Sequence, residues 1–141
     1  MPGRVSAVSW VDSQVHLRVY QDRPGIGGSR VIERAFDGQD WQNGAFSEEG
    51  VTVGATSWLE GDQIHIRVYV GNGSDGPITE YCWDKDHWYV GAFQANGTNA
   101  DPTSWLTGDQ IHIRVYVRDM SDTVVEHCWD GKEWYKGAYT D

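Results

Sequence analysis

Positive charge is scarce in this chain. Against 21 aspartates and glutamates stand 11 lysines and arginines, which leaves a formal net charge of −10. That sign argues against a nucleic-acid or anionic-membrane partner, since either needs a basic patch. Long apolar runs are missing too. None approaches the roughly 18 residues of a spanning helix, so no membrane insertion is expected. The opening MPGRVSAV lacks the apolar core of a secretory signal, so export by that route is not indicated. Cysteine is limited to Cys82 and Cys128. They hold equivalent places in successive repeats, about one structural unit apart, too far for the ~5.5 Å Cα separation of a disulfide. Two buried free thiols are expected instead. Helical periodicity is also lacking.

What is present is repetition. The stretch ERAFDGQDWQNGAF from Glu33 returns as EYCWDKDHWYVGAF from Glu80 and EHCWDGKEWYKGAY from Glu126, without an internal gap. In each copy an aromatic follows the Glu three residues on (Phe36, Trp83, Trp129) and a Trp eight residues on (Trp41, Trp88, Trp134). A Gly-Ala pair comes three residues later (Gly44-Ala45, Gly91-Ala92, Gly137-Ala138). Upstream, every copy has a Ser-Trp and then an alternating run, VHLRVY, IHIRVY or IHIRVY, a half-buried strand by its period of two. This alternation places His65, Arg67 and Tyr69 on one face and Ile64, Ile66 and Val68 on the other.

Four short antiparallel strands per unit, at a period near 47, predict blades of an all-β β-propeller. The chain reads as one repeat domain, 1–141, with blades near 5–47, 52–94 and 100–141. The glycine-rich RPGIGGS reads as a solvent loop, and Asp-Gly as a tight hairpin in copies one and three. Asn72-Gly73-Ser74 and Asn96-Gly97-Thr98 match the glycosylation pattern but read better as turns. Propellers close with about four to eight blades, so three would leave two uncovered faces. Two copies of the chain completing a ring of six, a homodimer, is the preferred assembly.

The Glu, the strand Arg and the flanking aromatics form a polar-plus-stacking constellation. A bland reading of Arg67 with Glu80 is a buried cross-strand ion pair, but its threefold recurrence together with aromatics disfavours that. His16, His65 and His112 come one per blade with no second ligand, so they read as packed strand residues and no metal or other cofactor is expected. Asp37, Asp84 and Asp130 could suggest the paired carboxylates of a glycosidase, yet turn-forming Asp fits better.

The combined pattern SWL..G..IHIRVY....TE.CWDG..W..GAY, spanning Val8 to Tyr139, resembles the fucose-binding lectins of the Aleuria type and their short bacterial relatives. The fungal members carry six such repeats and the bacterial ones two, which trimerise. The resemblance implies a multivalent, non-enzymatic lectin for L-fucose and fucosylated oligosaccharides, bound in clefts between blades. Carried over by position, the first site would comprise Arg18, Glu33, Gly44 and Ala45 with Ile64, Ile66, Trp83 and Trp88. The second would comprise Arg67, Glu80, Gly91 and Ala92 with Ile111, Ile113, Trp129 and Trp134. A third would set Arg114, Glu126, Gly137 and Ala138 against Val15, Leu17, Phe36 and Trp41 of a partner chain. A propeller glycoside hydrolase and a protein-interaction propeller remain as alternatives. Localisation stays open between the cytoplasm and release by a non-classical route to act on cell-surface glycans.

Overall fold

The computed structural model describes residues 4–141 and contains strands and turns only among them. The first sheet runs β1 (Val5–Val11), β2 (Val15–Gly25), β3 (Gly28–Phe36) and β4 (Trp41–Glu49), antiparallel and in that order. The second runs β5 (Thr52–Glu60), β6 (Gln63–Gly71), β7 (Gly76–Trp83) and β8 (Trp88–Val90). Short β9 (Ala95–Gly97) also pairs with β7 and resumes the outer edge that β8 leaves. The third runs β10 (Asn99–Thr107), β11 (Gln110–Arg118), β12 (Val124–Trp129) and β13 (Trp134–Lys136). These are three blades. Strand β5 lies between β1 and β10, so the first strands run side by side and the sheets fan outward from them. Hydrogen bonds tie these inner strands: Ala55 N–H donates to Ser6 Oγ at 3.0 Å, and the Thr56 and Ser104 hydroxyls meet at 2.7 Å.

Two apolar cores sit in the gaps between blades. The alternation of β6 decides which residue enters which. Ile66, Val68 and Val70 turn toward blade one and pack with Val8, Tyr20, Val31 and Phe46. Tyr69, from the opposite face of β6, packs with Ile113, Val115 and Phe93 in the other core. Each fully buried aliphatic side chain contributes about 1.5–3 kcal/mol.

Turn chemistry differs from the sequence expectation in four places. Glu60 pairs with Gln63 and Thr107 with Gln110, so Gly61-Asp62 and Gly108-Asp109 are two-residue hairpins. Their glycines have φ of 65° and 63°, as a type II′ turn requires at its first central position. Asp-Gly is not a tight hairpin: residues 37–40, 84–87 and 130–133 are four-residue connections, because Phe36 pairs with Trp41, Trp83 with Trp88 and Trp129 with Trp134. RPGIGGS is not an open loop either. Strands β2 and β3 continue through it to pair Gly25 with Gly28, and only Ile26-Gly27 form the tip. Asn72-Gly73 does turn, with Asn72 Oδ1 accepting from Ser74 N–H at 3.1 Å, whereas Asn96-Gly97 lies in β9. Cys82 and Cys128 are buried free thiols.

The two end faces are uncovered. Val15 and Trp41 are 44% exposed at the leading face of blade one. On the trailing face of blade three Tyr139 is 46% exposed, while its equivalents Phe46 and Phe93 are 2% and 4% exposed.

Candidate functional site

Each blade fixes the carboxylate of its Glu by a tyrosine hydroxyl and a backbone N–H. Tyr69 and Glu80 face each other across β6 and β7, and the buried Tyr69 hydroxyl donates to Glu80 Oε2 at 2.6 Å. Phe93 N–H donates to Oε1 at 3.3 Å, and Gly91 N–H donates to the Glu80 carbonyl at 2.8 Å. Glu33 repeats this with Tyr20 (2.6 Å) and Phe46 N–H (3.3 Å), and Glu126 with Tyr116 (2.7 Å) and Tyr139 N–H (3.1 Å). The carboxylate therefore lies flat over the backbone of the Gly-Ala turn. This explains the glycine: a Cβ on Gly91 would overlap Glu80, coming 2.7 Å from its Cδ and 2.8 Å from Cys82 Sγ. Gly44 and Gly137 meet Glu33 and Glu126 in the same way.

The arginine does not pair with the glutamate. Arg67 Nη1 donates to Asp84 Oδ1 at 2.7 Å and Nη2 to Oδ2 at 3.3 Å, a forked pair with the Asp of the four-residue connection. Arg18 forks onto Asp37 in the same way (2.8 and 3.4 Å), and Arg114 Nη1 donates to Asp130 Oδ1 at 2.9 Å. No partner occupies the Nε–H of these arginines among the described residues, which leaves that edge of each guanidinium free to donate outward. Asp37, Asp84 and Asp130 do open the four-residue connections, and from there they also anchor the arginines. The histidines complete the anchor. His65 Nδ1 lies 2.6 Å from Asp84 Oδ1, and the His65 ring stacks on Trp58 at 5.1 Å and 12°. Arg67 sits 4.9 Å from the centroid of the same indole, so the cation is held between an acid and a π-face. His16 with Trp10 and His112 with Trp105 repeat the stack. The tryptophans of the Ser-Trp pairs thus support the site.

Burial alone would raise the Asp84 carboxyl, but hydrogen bonds from Arg67, His65 and Tyr89 outweigh it and bring its pKa down to about 2. A carboxyl depressed in the folded state stabilises fully above its ordinary value, 3.8, and loses that contribution as pH falls through about 2. Thermal unfolding is expected to shift down steeply below about pH 4, and Asp84→Asn to flatten that dependence. An identical slope in the variant would mean that Asp84 does not carry it.

Two complete clefts result. Between blades one and two, Arg18, Glu33, Gly44 and Ala45 face Ile64, Ile66, Trp83 and Trp88. Between blades two and three, Arg67, Glu80, Gly91 and Ala92 face Ile111, Ile113, Trp129 and Trp134. Every residue predicted for the first two sites is brought together. Those of the third are not, because Arg114, Glu126, Gly137 and Ala138 lie at one end of the array and Val15, Leu17, Phe36 and Trp41 at the other. Sequence reasoning passed over Tyr20, Tyr69 and Tyr116, which hold the Glu residues, and Asp84 with its equivalents. The signal for both was present, as the Tyr ending each alternating run and the Asp four residues after each Glu.

In the second cleft the thiol of Cys82 lies beside Glu80 and Arg67, and burial, then the Glu80 charge, pushes its pKa up to about 12. It stays a neutral wall. Each complete cleft thus offers an acceptor carboxylate, an arginine edge, an aliphatic pair and two indoles, a set suited to a hydroxylated ring with one apolar face.

The sequence model of the fungal fucose-specific lectins matches residues 2–98. No curated protein sequence matches the chain. A fucose lectin from Kordia zhangzhouensis, solved in complex with methyl-fucoside, is 46% identical with a TM-score of 0.84, over 96% of this chain and 99% of that one. The six-bladed β-propeller lectin of Aleuria aurantia is 30% identical with a TM-score of 0.76, over 97% of this chain. An N224Q mutant of it, in complex with Fucα1-6GlcNAc, is 28% identical with a TM-score of 0.74 over 97% of this chain. This chain spans 45% of either Aleuria chain. Three propeller blades bearing a threefold Glu–Arg–indole cleft motif, with these similarities, establish that the chain belongs to the fungal fucose-specific lectin family.

Proposed function

We propose that the protein is a multivalent lectin that binds terminal L-fucose of fucosylated glycans, one residue per interblade cleft. The observation that carries this reading is the cleft itself: a locked carboxylate and a free guanidinium edge facing an aliphatic pair. Glu80 accepts from ring hydroxyls, Arg67 donates to neighbouring sugar oxygens, and Ala92 at the cleft wall adds only a methyl side chain. The fucose methyl group packs against Ile111 and Ile113, and an indole of Trp129 or Trp134 covers the C–H face of the ring. Arg18 with Ile64 and Ile66 acts likewise in the first cleft.

Binding without turnover follows from how the carboxylates are held. Glu80 is committed to Tyr69 and Phe93 N–H, and Asp84 to Arg67 and His65. Neither is positioned as a free acid–base pair, so no general acid faces a glycosidic oxygen.

The third cleft closes between two chains. The trailing face of blade three carries Arg114, Glu126, Gly137 and Ala138 with nothing across from them. A second copy's blade one offers Val15, Leu17, Phe36 and Trp41, the repeat equivalents of the residues that complete the other clefts. Covering Trp41 and Tyr139 removes two exposed aromatics from water at once, and the dimer becomes a ring of six blades. Native mass spectrometry is expected to give a particle of two 15.9 kDa chains, and titration calorimetry three methyl-fucoside sites per chain. The matching L-galactoside, with a hydroxymethyl group in place of the methyl, is expected to bind more weakly. A monomer with two sites, or no preference between the two sugars, would count against this reading.

A further inference from the structure

The two intrachain clefts come from the same repeat yet differ in size. Both are open clefts, with a volume of about 540 Å³ in the first and about 170 Å³ in the second. One outer-strand difference falls directly in the space beside the arginine. In the second cleft Tyr89 donates its hydroxyl to Asp84, which draws its ring along the cleft beside Arg67. The repeat equivalent in the first cleft is Gln42, which makes no such bond to Asp37 among the described residues. The space that the tyrosine ring fills in one cleft stays open in the other.

That space is lined by groups suited to hydrogen bonding. Gln42 and Asn43 border it from blade one, and Lys85 from blade two. The equivalents around the second cleft are Tyr89, Val90 and Gly131, of which only Tyr89 lines it. The Asn43 carbonyl oxygen accepts from Arg34, which leaves its amide hydrogens to donate. The formal charges at the first cleft, Arg18 and Lys85 against Glu33 and Asp37, cancel, so no surplus of positive charge selects an acidic group.

We propose that the first cleft carries a second, polar subsite for the neutral sugar ring adjoining the terminal fucose, and that the second cleft binds the fucose alone. This rests on the fucose-binding reading above. A saccharide ring presents hydroxyl oxygens and, when N-acetylated, a carbonyl. These accept from Asn43 and Lys85, while Gln42 can both donate and accept.

The test uses two full-length variants that each keep one intrachain cleft. Arg67→Ala with Arg114→Ala retains the first, and Arg18→Ala with Arg114→Ala retains the second. Each is titrated with methyl fucoside and with Fucα1-6GlcNAc, and the ratio of the two affinities is read. Hydrogen bonds of ordinary net strength predict a ratio favouring the disaccharide roughly two- to ten-fold in the first cleft. In the second the ratio should stay near one. Adding Gln42→Ala and Lys85→Ala to the first-cleft chain is expected to lower its ratio to that of the second; a general loss of folding lowers both affinities and leaves the ratio alone. Equal ratios in the two parent variants, or a ratio insensitive to the added pair, overturn the subsite while leaving fucose binding intact. Tighter binding of a sulfated disaccharide than of the neutral one overturns the neutral class. Absence of methyl-fucoside binding in the unaltered protein overturns the fucose reading, and the subsite with it.

Discussion

Replacing Arg67 by alanine is expected to silence the second cleft and lower the methyl-fucoside stoichiometry from three sites per chain toward two. The guanidinium presents its free Nε edge to the cleft while two further contacts bind it to Asp84. A hydrogen bond to a charged group is worth ~1.5–3 kcal/mol, so its loss weakens this cleft by roughly ten- to a hundred-fold. Had Arg67 paired with Glu80 across the strands, that glutamate would be the partner left behind. The geometry assigns that part to Asp84, because Glu80 keeps Tyr69 and Phe93 N–H whatever happens to the arginine. Asp84 then holds its charge through His65 and Tyr89 only. Its carboxyl is expected to rise from about 2 toward the ordinary range. Carboxylate NMR titration reads this directly. Unchanged stoichiometry would falsify the binding role, and an unmoved Asp84 would break the assigned pairing.

A single methyl group at Gly91 is expected to do comparable damage by another route. The new Cβ would overlap the Glu80 carboxylate and also come 2.8 Å from Cys82 Sγ, so both side chains would have to shift. Glu80 is 4% exposed, and displacing it strips its bonds from Tyr69 and from the Phe93 amide. Leaving such buried partners unsatisfied costs ~1–3 kcal/mol in stability, which lowers the melting temperature by several degrees for a domain of this size. Sugar affinity at that cleft should drop more than ten-fold, since the acceptor has moved. Cys82→Ala in the Gly91→Ala background gives the side chain room and is expected to recover part of the stability. A Gly91→Ala protein that melts normally and binds three sugars per chain would show that the carboxylate does not need the glycine.

Much of this molecule could be read along the chain. The period near 47, the alternation of IHIRVY and the constant spacing from Glu to Gly-Ala define three sheets and the face each residue takes. These are local properties: a strand's period of two assigns Ile66 and Arg67 to opposite sides wherever the sheet sits. The contents of the first two clefts came from the resemblance to the fucose-binding lectins, and the alternation of the strands agrees with them. What linear spacing could not decide was which charged groups pair. Glu80 and Asp84 are four residues apart and both are acidic, so Arg67 could have taken either. The four-residue connection after Trp83 swings Asp84 back under the guanidinium, while the turn of backbone at Gly91 draws Glu80 the other way, onto Tyr69. The hairpin through Arg23 and Pro24, which looked like loop, was settled by pairing across β2 and β3 in the same manner. The inequality of the clefts also belongs to the tertiary structure. Whether the residue at the position of Tyr89 or Gln42 fills the space beside an arginine depends on its side chain folding back onto the connection that precedes its strand, and residue order alone carries no such geometry.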